Sequence, residues 1–127
     1  MAERARMEEA LHAHRVTVHQ YTALSLLERR DGLSSAQLAR RHFVTPQAMN
    51  QLVATLERDD LIRREPDEVN RRILRATLTD RGRERLAACH QAVDELERRM
   101  LADFTPEQER EFRDALARSL HGLAEST

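Results

Sequence analysis

Two helix-start signals, at residues 34 and 45, stand so close together that they constrain the fold more than any other feature. Ser34 is followed by Gln37 in the pattern of a capping box, in which each side chain bonds the backbone N–H of the other residue. Thr45 is a typical N-cap residue, and Pro46 after it is favoured at the first helical position. The earlier helix must therefore end near residue 43, which leaves little more than Val44 as the connection. Two helices joined by so short a turn are typical of a helix-turn-helix.

Similar signals divide most of the remaining chain into helices. Thr17 with Gln20 and Thr105 with Gln108 form two further capping boxes. Aromatic residues make up only 3% of the chain, and Gly and Pro number three each, so the composition favours helices over a turn-rich sheet. We predict six helices, at about residues 2–14, 17–30, 34–43, 45–59, 79–103 and 105–122.

Residues 61–78 do not fit a helix. Pro66 stands in a polar cluster at the centre of this segment, and the branched residues Ile62 and Ile73 flank it, which predicts two short strands and a long turn. A helix-turn-helix followed by such a hairpin has the parts of a winged helix-turn-helix. The predicted fold class is therefore mainly α with a small β wing and long C-terminal helices. The hairpin would expose five arginines, which are Arg63, Arg64, Arg71, Arg72 and Arg75.

The second helix of the motif begins in a stretch, residues 43–56, that contains no charged residue, although 34% of the chain is charged. On a helix its apolar residues Met49, Leu52, Val53 and Leu56 form one stripe that would pack inward. The opposite face carries amides that can bond base edges in the major groove, and it carries no carboxylate that would repel phosphates. We therefore predict DNA contacts from Ser35, Thr45, Gln47, Asn50, Gln51, Ala54 and Arg58.

Other interpretations of these residues remain open. The helix at residues 45–59 could be an ordinary amphipathic helix whose polar residues are incidental. The motif could also be a winged-helix protein interaction module without DNA binding, because residues 34–75 carry eight Arg against six acidic residues, a net charge of only +2. An enzyme would need a nucleophile, phosphate-loop or paired-carboxylate motif, and the sequence shows none, so we expect no enzymatic activity.

The predicted helix at residues 79–103 would be about 36 Å long, more than a small domain needs. Its apolar residues step by three and four positions, which is a heptad seam, and a second apolar stripe follows on the last helix. Both stripes could pack within one chain, but a projecting apolar seam has to be covered, which favours a homodimer. The predicted dimer contacts are Leu86, Val93, Leu96, Met100, Phe112, Leu116 and Leu120.

The order and spacing of these segments resemble the MarR-type winged helix-turn-helix regulators of bacteria. The resemblance runs from about Val16 to Gly122. The family's second and third helices are similar to T-V-H-Q-Y-T-A-L-S-L-L and L-S-S-A-Q-L-A-R-R. Its recognition helix resembles V-T-P-Q-A-M-N-Q-L-V-A-T-L-E, and its wing entry resembles D-L-I-R-R. Its return strand and the start of its dimerisation helix resemble N-R-R-I-L-R-A-T-L-T-D-R-G.

The resemblance implies a repressor that binds a pseudo-palindromic operator in double-stranded DNA as a homodimer. It implies that Gln47, Asn50 and Gln51 lie in the major groove and that Arg71 and Arg72 sit in a wing near the minor groove. We expect one domain over residues 1–127, with a DNA-binding lobe at 17–78 and dimerisation helices at 1–16 and 79–127. Many members of the family are released by small aromatic ligands, so a small aromatic acid is a possible effector.

In the family, the ligand pocket lies between the dimerisation helices and the DNA-binding lobe. Arg15, His19 and Tyr21 stand near the junction of the first two helices, close to that position, and are the predicted ligand residues. An arginine can hold a carboxylate through two parallel bonds, and a tyrosine offers an aromatic face with a polar tip. The alternative is that Tyr21 packs on Val16 as a hydrophobic staple and that Arg15 is solvated.

Three features depart from the family pattern. Asn70 stands where the family commonly has Asp before the wing arginines, which would remove an ion pair that steadies the wing. Asp60 stands where the family commonly has Gly, at a helix end that favours a left-handed residue. The first helix is short, which could reduce the ligand pocket.

The remaining features concern the cellular location of the protein, its cofactors and its single cysteine. No stretch approaches the ~20 consecutive apolar residues of a membrane span, and the N-terminus lacks the apolar run of a secretory signal, so we expect a cytoplasmic protein. The six histidines show no metal-ligand spacing, so we expect no metal and no other cofactor. The single cysteine, Cys89, lies on the apolar seam and is expected to be inert, with a redox role as the alternative.

Overall fold

The computed structural model describes the backbone of residues 2–125 and the side chains of residues 4–118. Within that range the chain forms six helices in the predicted order, and each begins and ends within three residues of its predicted bounds. The predicted fold class, mainly α with a small β wing, is confirmed. The helices are α1 (Ala2–His12), α2 (Val18–Arg29), α3 (Ser35–His42), α4 (Pro46–Arg58), α5 (Asp80–Leu101) and α6 (Pro106–Glu125).

Side-chain caps fix where several of these helices begin. Thr17 and Ser34 each accept the backbone N–H three residues further on, and the side chains of Gln20 and Gln37 accept the N–H of the cap residue in return. Thr45 caps α4 in the same way but without the reciprocal bond. These bonds are local in sequence, which is why the helix starts could be predicted.

The wing is a three-stranded antiparallel sheet rather than the predicted two-stranded hairpin. The strands β2 (Ile62–Pro66) and β3 (Leu74–Leu78) form the hairpin, and β1 (Leu33–Ser34) pairs with the other edge of β3. Next to this pair, the N–H of Gly32 donates to the carbonyl of Ala76 at 3.0 Å. A two-residue strand has no alternating pattern, so the sequence did not indicate it. The pairing fastens the wing to the start of α3.

The helices α2 to α4, the sheet and the start of α5 share one hydrophobic core, and we call residues 17–78 around it the winged lobe. Met49, Val53 and Leu56 of α4 are fully buried in this core, and Leu52 is half-buried, which confirms the predicted inward stripe. Leu86 of α5 lies in the same core and is 0% exposed. Because α5 still packs on the lobe at this turn, Leu86 does not reach a surface where a partner subunit could contact it, contrary to the prediction.

A second hydrophobic cluster lies between α1 and α5. Met7, Leu11, Val16 and Val18 are buried there together with Cys89. Burial raises the pKa of the Cys89 thiol, which reduces the thiolate that oxidation requires. The structure therefore favours the inert role for this cysteine.

Five of the other predicted dimer contacts are half-buried in the single chain. Together with Met7 of α1, they surround a cavity of about 20 Å³ between α1, α5 and α6. Leu120 lies outside the side chains that the structure describes. The five contacts on this cavity are Val93, Leu96 and Met100 of α5 and Phe112 and Leu116 of α6.

One polar side chain is buried in the winged lobe. His42, the last residue of α3, is 1% exposed, and its Nε2 lies 2.9 Å from Nδ1 of His19. The Nδ1 of His42 has no hydrogen-bond partner among the described residues. Burial, and then the neighbouring His19, lowers the pKa of His42 from 6.5 to about 4, so the ring stays neutral in the folded chain.

Stability should therefore fall as the pH is lowered from 6.5 towards 4. The unfolded chain binds a proton on His42 near pH 6.5 and the folded chain does not, so the loss in the free energy of unfolding reaches about 3 kcal/mol near pH 4. Urea denaturation across this range would measure the slope. We expect His42→Gln to remove much of it and the exposed control His12→Gln to retain it. The same slope in wild type and His42→Gln would contradict the assignment.

Candidate nucleic-acid interface

The uncharged face of α4 is open to solvent. Gln47, Asn50, Gln51 and Ala54 are all exposed on it. The hydroxyl of Ser35, at the start of α3, donates to Oδ1 of Asn50 at 2.6 Å. This bond orients the Asn50 amide and leaves its NH2 group as the available donor.

A cleft of about 520 Å³ separates the starts of α3 and α4 from the wing. Besides Ser35 and Asn50, four arginines line it, and two of them, Arg64 and Arg75, are paired with Glu57 and Asp67. The positive charge beside the amide face therefore comes mainly from the other two. The prediction missed Arg40, which lies on the same side of α3 as Ala36, another residue of the cleft four positions earlier. The four arginines are Arg40, Arg64, Arg72 and Arg75.

The structure pairs three of the five wing arginines that the sequence predicted to be exposed. Arg64 is half-buried and donates from Nη2 to Glu57, in the last turns of α4, at 2.8 Å. Arg63 is exposed but pairs with Glu65 on the same strand at 3.1 Å. Arg75 is half-buried and bonded within the wing turn. The pairs of Arg64 and Arg75 depend on the packing of α4 on β2 and on the folded hairpin, so the sequence pattern did not reveal them.

The turn of the wing is organised by Asp67. Its Oδ2 accepts the backbone N–H groups of Val69 and Asn70 at 3.1 and 2.9 Å, and its Oδ1 accepts Nε–H of Arg75 at 2.6 Å. Arg75 also donates to the carbonyl of Gly32 at 3.0 Å. The N–H of Asn70 and then the Arg75 guanidinium lower the pKa of Asp67 to about 2. An ion pair therefore steadies the wing from residue 67, although Asn70 cannot supply one.

Arg71 and Arg72 follow this turn and are both exposed. Among the described residues, neither guanidinium takes part in an ion pair. The backbone N–H of Arg72 donates to Oδ1 of Asn70 at 3.2 Å, so the backbone that carries these arginines is ordered by the turn. Two other predicted contacts, Thr45 and Arg58, are exposed at the two ends of α4.

The junction between the winged lobe and α5 depends on two backbone features. Asp60 adopts the left-handed conformation, with φ of 60°, where the family commonly has Gly. The hydroxyl of Thr79 donates to the Asp60 carbonyl at 2.6 Å. In the first turn of α5, Gly82 lies so close to Leu61 that an added Cβ would overlap the Leu61 carbonyl oxygen. This contact fastens the base of α5 to the lobe.

The predicted ligand residues do not surround one cavity. A cavity of about 470 Å³ lies between α1 and the start of α2, and Arg4, His12 and His19 are among its lining residues. Neither Arg15 nor Tyr21 lines it. Arg15 is exposed in the turn between the two helices, where its φ is 60°. Only His19 of the three predicted residues lies at this cavity.

Tyr21 instead bridges α2 and α5. Its hydroxyl lies 2.6 Å from Nδ1 of His90, and Nε2 of His90 lies 3.0 Å from Oε1 of Glu28. Burial raises the pKa of Tyr21 to about 12, so the phenol keeps its proton and donates to Nδ1. The His90 tautomer with its proton on Nε2 fits this arrangement, because that nitrogen then donates to Glu28. We call these three residues the Tyr21–His90–Glu28 chain.

Comparison with known proteins places this arrangement in a family. The sequence model that describes the MarR family matches residues 15–73 of the chain. Over 113 residues the chain is 38% identical to the HTH-type transcriptional repressor Rv2887 of Mycobacterium tuberculosis, covering 89% of this chain and 81% of that protein. The chain belongs to the MarR family. The resemblance stated from the sequence is thereby confirmed.

Solved structures of Rv2887 also resemble this MarR-family chain. The complex of Rv2887 with DNA superposes on this chain with a TM-score of 0.73 at 35% identity, and the match covers 91% of this chain and 86% of that chain. The complex of Rv2887 with salicylic acid superposes with a TM-score of 0.71 at 36% identity, and the match covers 93% of this chain and 87% of that chain.

Membrane-spanning helices and metal clusters are both absent from the residues that the structure describes. No helix among them is long and apolar enough to cross a membrane. No group of three or more His, Cys, Asp or Glu side chains among them is arranged to hold a metal ion.

Proposed function

We propose that the chain is a transcriptional repressor that binds a pseudo-palindromic operator as a homodimer and responds to a small aromatic acid. The observation that carries the proposal is the exposed, uncharged amide face of α4 beside an arginine-lined cleft. Its support from outside the chain is that the relative Rv2887 has been solved in complex with DNA.

The two parts of this surface suit two parts of a DNA duplex. The side chains of Gln47, Asn50 and Gln51 offer paired donors and acceptors that match base edges in the major groove, adenine above all. Arg40 and Arg72 line the cleft beside them and suit the phosphates that run past a recognition helix. Amides would then supply sequence choice, and arginines would supply affinity.

Substitutions on the two parts should behave differently. Asn50→Ala should weaken operator binding by about 1–3 kcal/mol and leave random DNA nearly unaffected, because it removes a base contact. Arg72→Ala should weaken all sequences alike and, if it contacts one phosphate, reduce the slope of log affinity against log salt by about 1. Fluorescence anisotropy with operator and random duplexes at several salt concentrations measures both effects.

Arg63→Ala is the matched control, since Arg63 is an exposed wing arginine already paired with Glu65. It should change neither the sequence preference nor the salt slope by a comparable amount. Unchanged operator binding in both Asn50→Ala and Arg72→Ala would remove the basis for assigning recognition to this surface.

We infer that the homodimer forms through α1, α5 and α6. Val93, Leu96, Met100 and Phe112 are only half-buried in one chain, and Phe104 nearby is 38% exposed. A partner subunit would cover this apolar surface. It would also place two copies of α4 side by side, as a palindromic site requires.

The cavity between α1 and α2 is the best candidate for the effector. Its volume of about 470 Å³ lies in the usual range for small-molecule pockets. Arg4 at its edge supplies a cation for a carboxylate, and the His19 imidazole lies at the same cavity. Glu8 and Glu9 also line the cavity, and Glu8 pairs with Arg4 at 3.3 Å, so a bound carboxylate would replace Glu8 on Arg4. The salicylic acid complex of Rv2887 supports a ligand of this class.

Salicylate should therefore lower operator affinity and raise the melting temperature of the free protein. Arg4→Ala should raise the salicylate concentration needed for either response by about 10-fold, because a charge-assisted bond is lost. Arg15→Ala is the matched control and should leave the response unchanged, since Arg15 does not line the cavity. A reversed pattern, with only Arg15→Ala affected, would assign the ligand to the site first predicted from the sequence.

The same proposal covers where the protein acts and whether it is an enzyme. The protein acts by occupying DNA in the cytoplasm and catalyses no reaction. The competing interpretation, a winged-helix interaction module without DNA binding, keeps the fold but needs no operator. An exposed amide face without carboxylates favours the operator-binding protein.

A further inference from the structure

The helix α5 is attached to the winged lobe at two separate places. At its base, Gly82 lies against the backbone of Leu61, and Leu86 enters the core of the lobe. Two turns further along α5, His90 forms hydrogen bonds with Tyr21 and Glu28, which both belong to α2. Gly82 and His90 are eight positions apart, which is about 12 Å along the helix, and Leu86 packs between them. A helix attached at one place can pivot there, whereas two places so far apart fix its direction.

The second attachment adds directional bonds away from the base of α5, where the hydroxyl of Thr79 already donates to the Asp60 carbonyl. The apolar packing of Leu86 between the two is non-directional by comparison. Hydrogen bonds weaken steeply when they are bent, so the two bonds of the Tyr21–His90–Glu28 chain define an angle. The Tyr21 and His90 rings add an edge-to-face contact, with centroids 5.3 Å apart and an interplanar angle of 71°.

We propose that the Tyr21–His90–Glu28 chain is a positioning device that sets the angle between the winged lobe and α5, and thereby the spacing of operator half-sites that the dimer accepts. This inference rests on the proposed function, because it requires two lobes joined through α5. In such a dimer α5 belongs to the dimer interface, and α4 moves rigidly with the winged lobe. The angle at the junction therefore determines the distance between the two copies of α4.

A small change of this angle has a measurable consequence. Recognition helices of such dimers lie about 34–36 Å apart. Because each lobe turns about its own junction with α5, a rotation that moves each copy of α4 outward by about 1.7 Å increases this distance by about 3.4 Å, the rise of one base pair. A less restricted angle between the lobe and α5 should therefore weaken the preference of the dimer for one half-site spacing, and it should leave the affinity for a single half-site unchanged.

The test uses the full-length wild type and the Tyr21→Phe variant, which loses only the hydroxyl. Three palindromic duplexes are compared, with the native spacing, with one central base pair added and with one removed; a fourth duplex carries a single half-site. Wild type should prefer the native spacing by about 10-fold or more. Tyr21→Phe should bind the three spacings within about 3-fold of one another and bind the half-site as wild type does.

His90 provides the rescue and a second route if Tyr21→Phe does not fold. In His90→Asn the amide oxygen can accept from Tyr21, so spacing selectivity should be largely retained. In His90→Leu no acceptor remains, and selectivity should be lost as in Tyr21→Phe. Selectivity retained in both Tyr21→Phe and His90→Leu, even with a lower melting temperature, would show a merely structural role and overturn the proposal.

Two further outcomes separate this inference from the function on which it rests. A half-site affinity that falls as much as the full-site affinity would place the effect in the lobe itself and overturn the positioning role. A wild-type protein that binds no palindrome as a dimer would overturn the proposed function, and the positioning role with it.

Discussion

Replacing Gly82 by alanine should destabilise the fold by about 4 kcal/mol, at the upper end of what one added methyl group causes. In an open helix position this change would be favourable by about 0.5–1 kcal/mol, because glycine is the more flexible residue. Here the new Cβ would overlap the carbonyl oxygen of Leu61 and lie 2.9 Å from its carbonyl carbon. Backbone atoms cannot rotate away as a side chain can, so α5 must shift from the lobe.

The measurement is urea denaturation, with Arg81→Ala as the control. Arg81 precedes Gly82 in the same helical turn and is exposed, so its replacement should change stability by less than about 0.5 kcal/mol. An equal or greater stability of Gly82→Ala would mean that α5 does not approach Leu61 as closely as the structure shows.

Leu96→Arg should convert the protein to a monomer and reduce operator affinity at least about 100-fold. A charge placed in an apolar interface costs several kcal/mol, and a monomer binds each half-site alone. Leu96 suits this test because it is half-buried in its own chain and lies at the cavity between α1, α5 and α6. Sedimentation velocity at micromolar concentration and operator titration measure the two effects.

Ala87→Arg is the matched control, since it adds the same charge at an exposed position of α5. It should remain dimeric and bind the operator. Melting curves of both variants separate loss of assembly from loss of fold, because Leu96→Arg should still unfold cooperatively. A wild-type protein that sediments as a monomer at the same concentration would contradict the dimer.

Much of the fold was predictable because its signals are local. The capping boxes at Thr17 and Ser34 act within one helical turn, so the sequence contains both partners of each bond. The inward stripe of α4 follows from helical periodicity alone. The strand β1 was missed because two residues show no pattern and because its partner, β3, lies some forty residues further along the chain.

The candidate site was predictable only in part, for the same reason. Exposure of Asn50 and Gln51 follows from the helix face that carries them. The bond from Ser35 that orients Asn50 depends on the packing of α3 on α4. Asp67 replaces the ion pair that Asn70 cannot form, and only the folded turn shows that its carboxylate reaches Arg75.

The ligand residues show the limit of reasoning from position in sequence. Arg15, His19 and Tyr21 are neighbours along the chain, but the turn before α2 sends their side chains to different surroundings. Arg15 is exposed, His19 bonds His42, and Tyr21 bonds His90. Sequence proximity placed all three residues near the junction of α1 and α2, and tertiary packing decided which side chains line the cavity there.

Operator recognition is tested most directly by binding of the wild-type chain to the DNA immediately upstream of its own coding sequence. The comparison is a shuffled duplex of equal length and composition, titrated at the same near-physiological salt concentration. We expect at least about 1,000-fold tighter binding to the upstream DNA, with a footprint over two half-sites about one helical turn apart. Equal affinity for both duplexes, or no binding at micromolar protein, would contradict the proposed function and favour the protein interaction module.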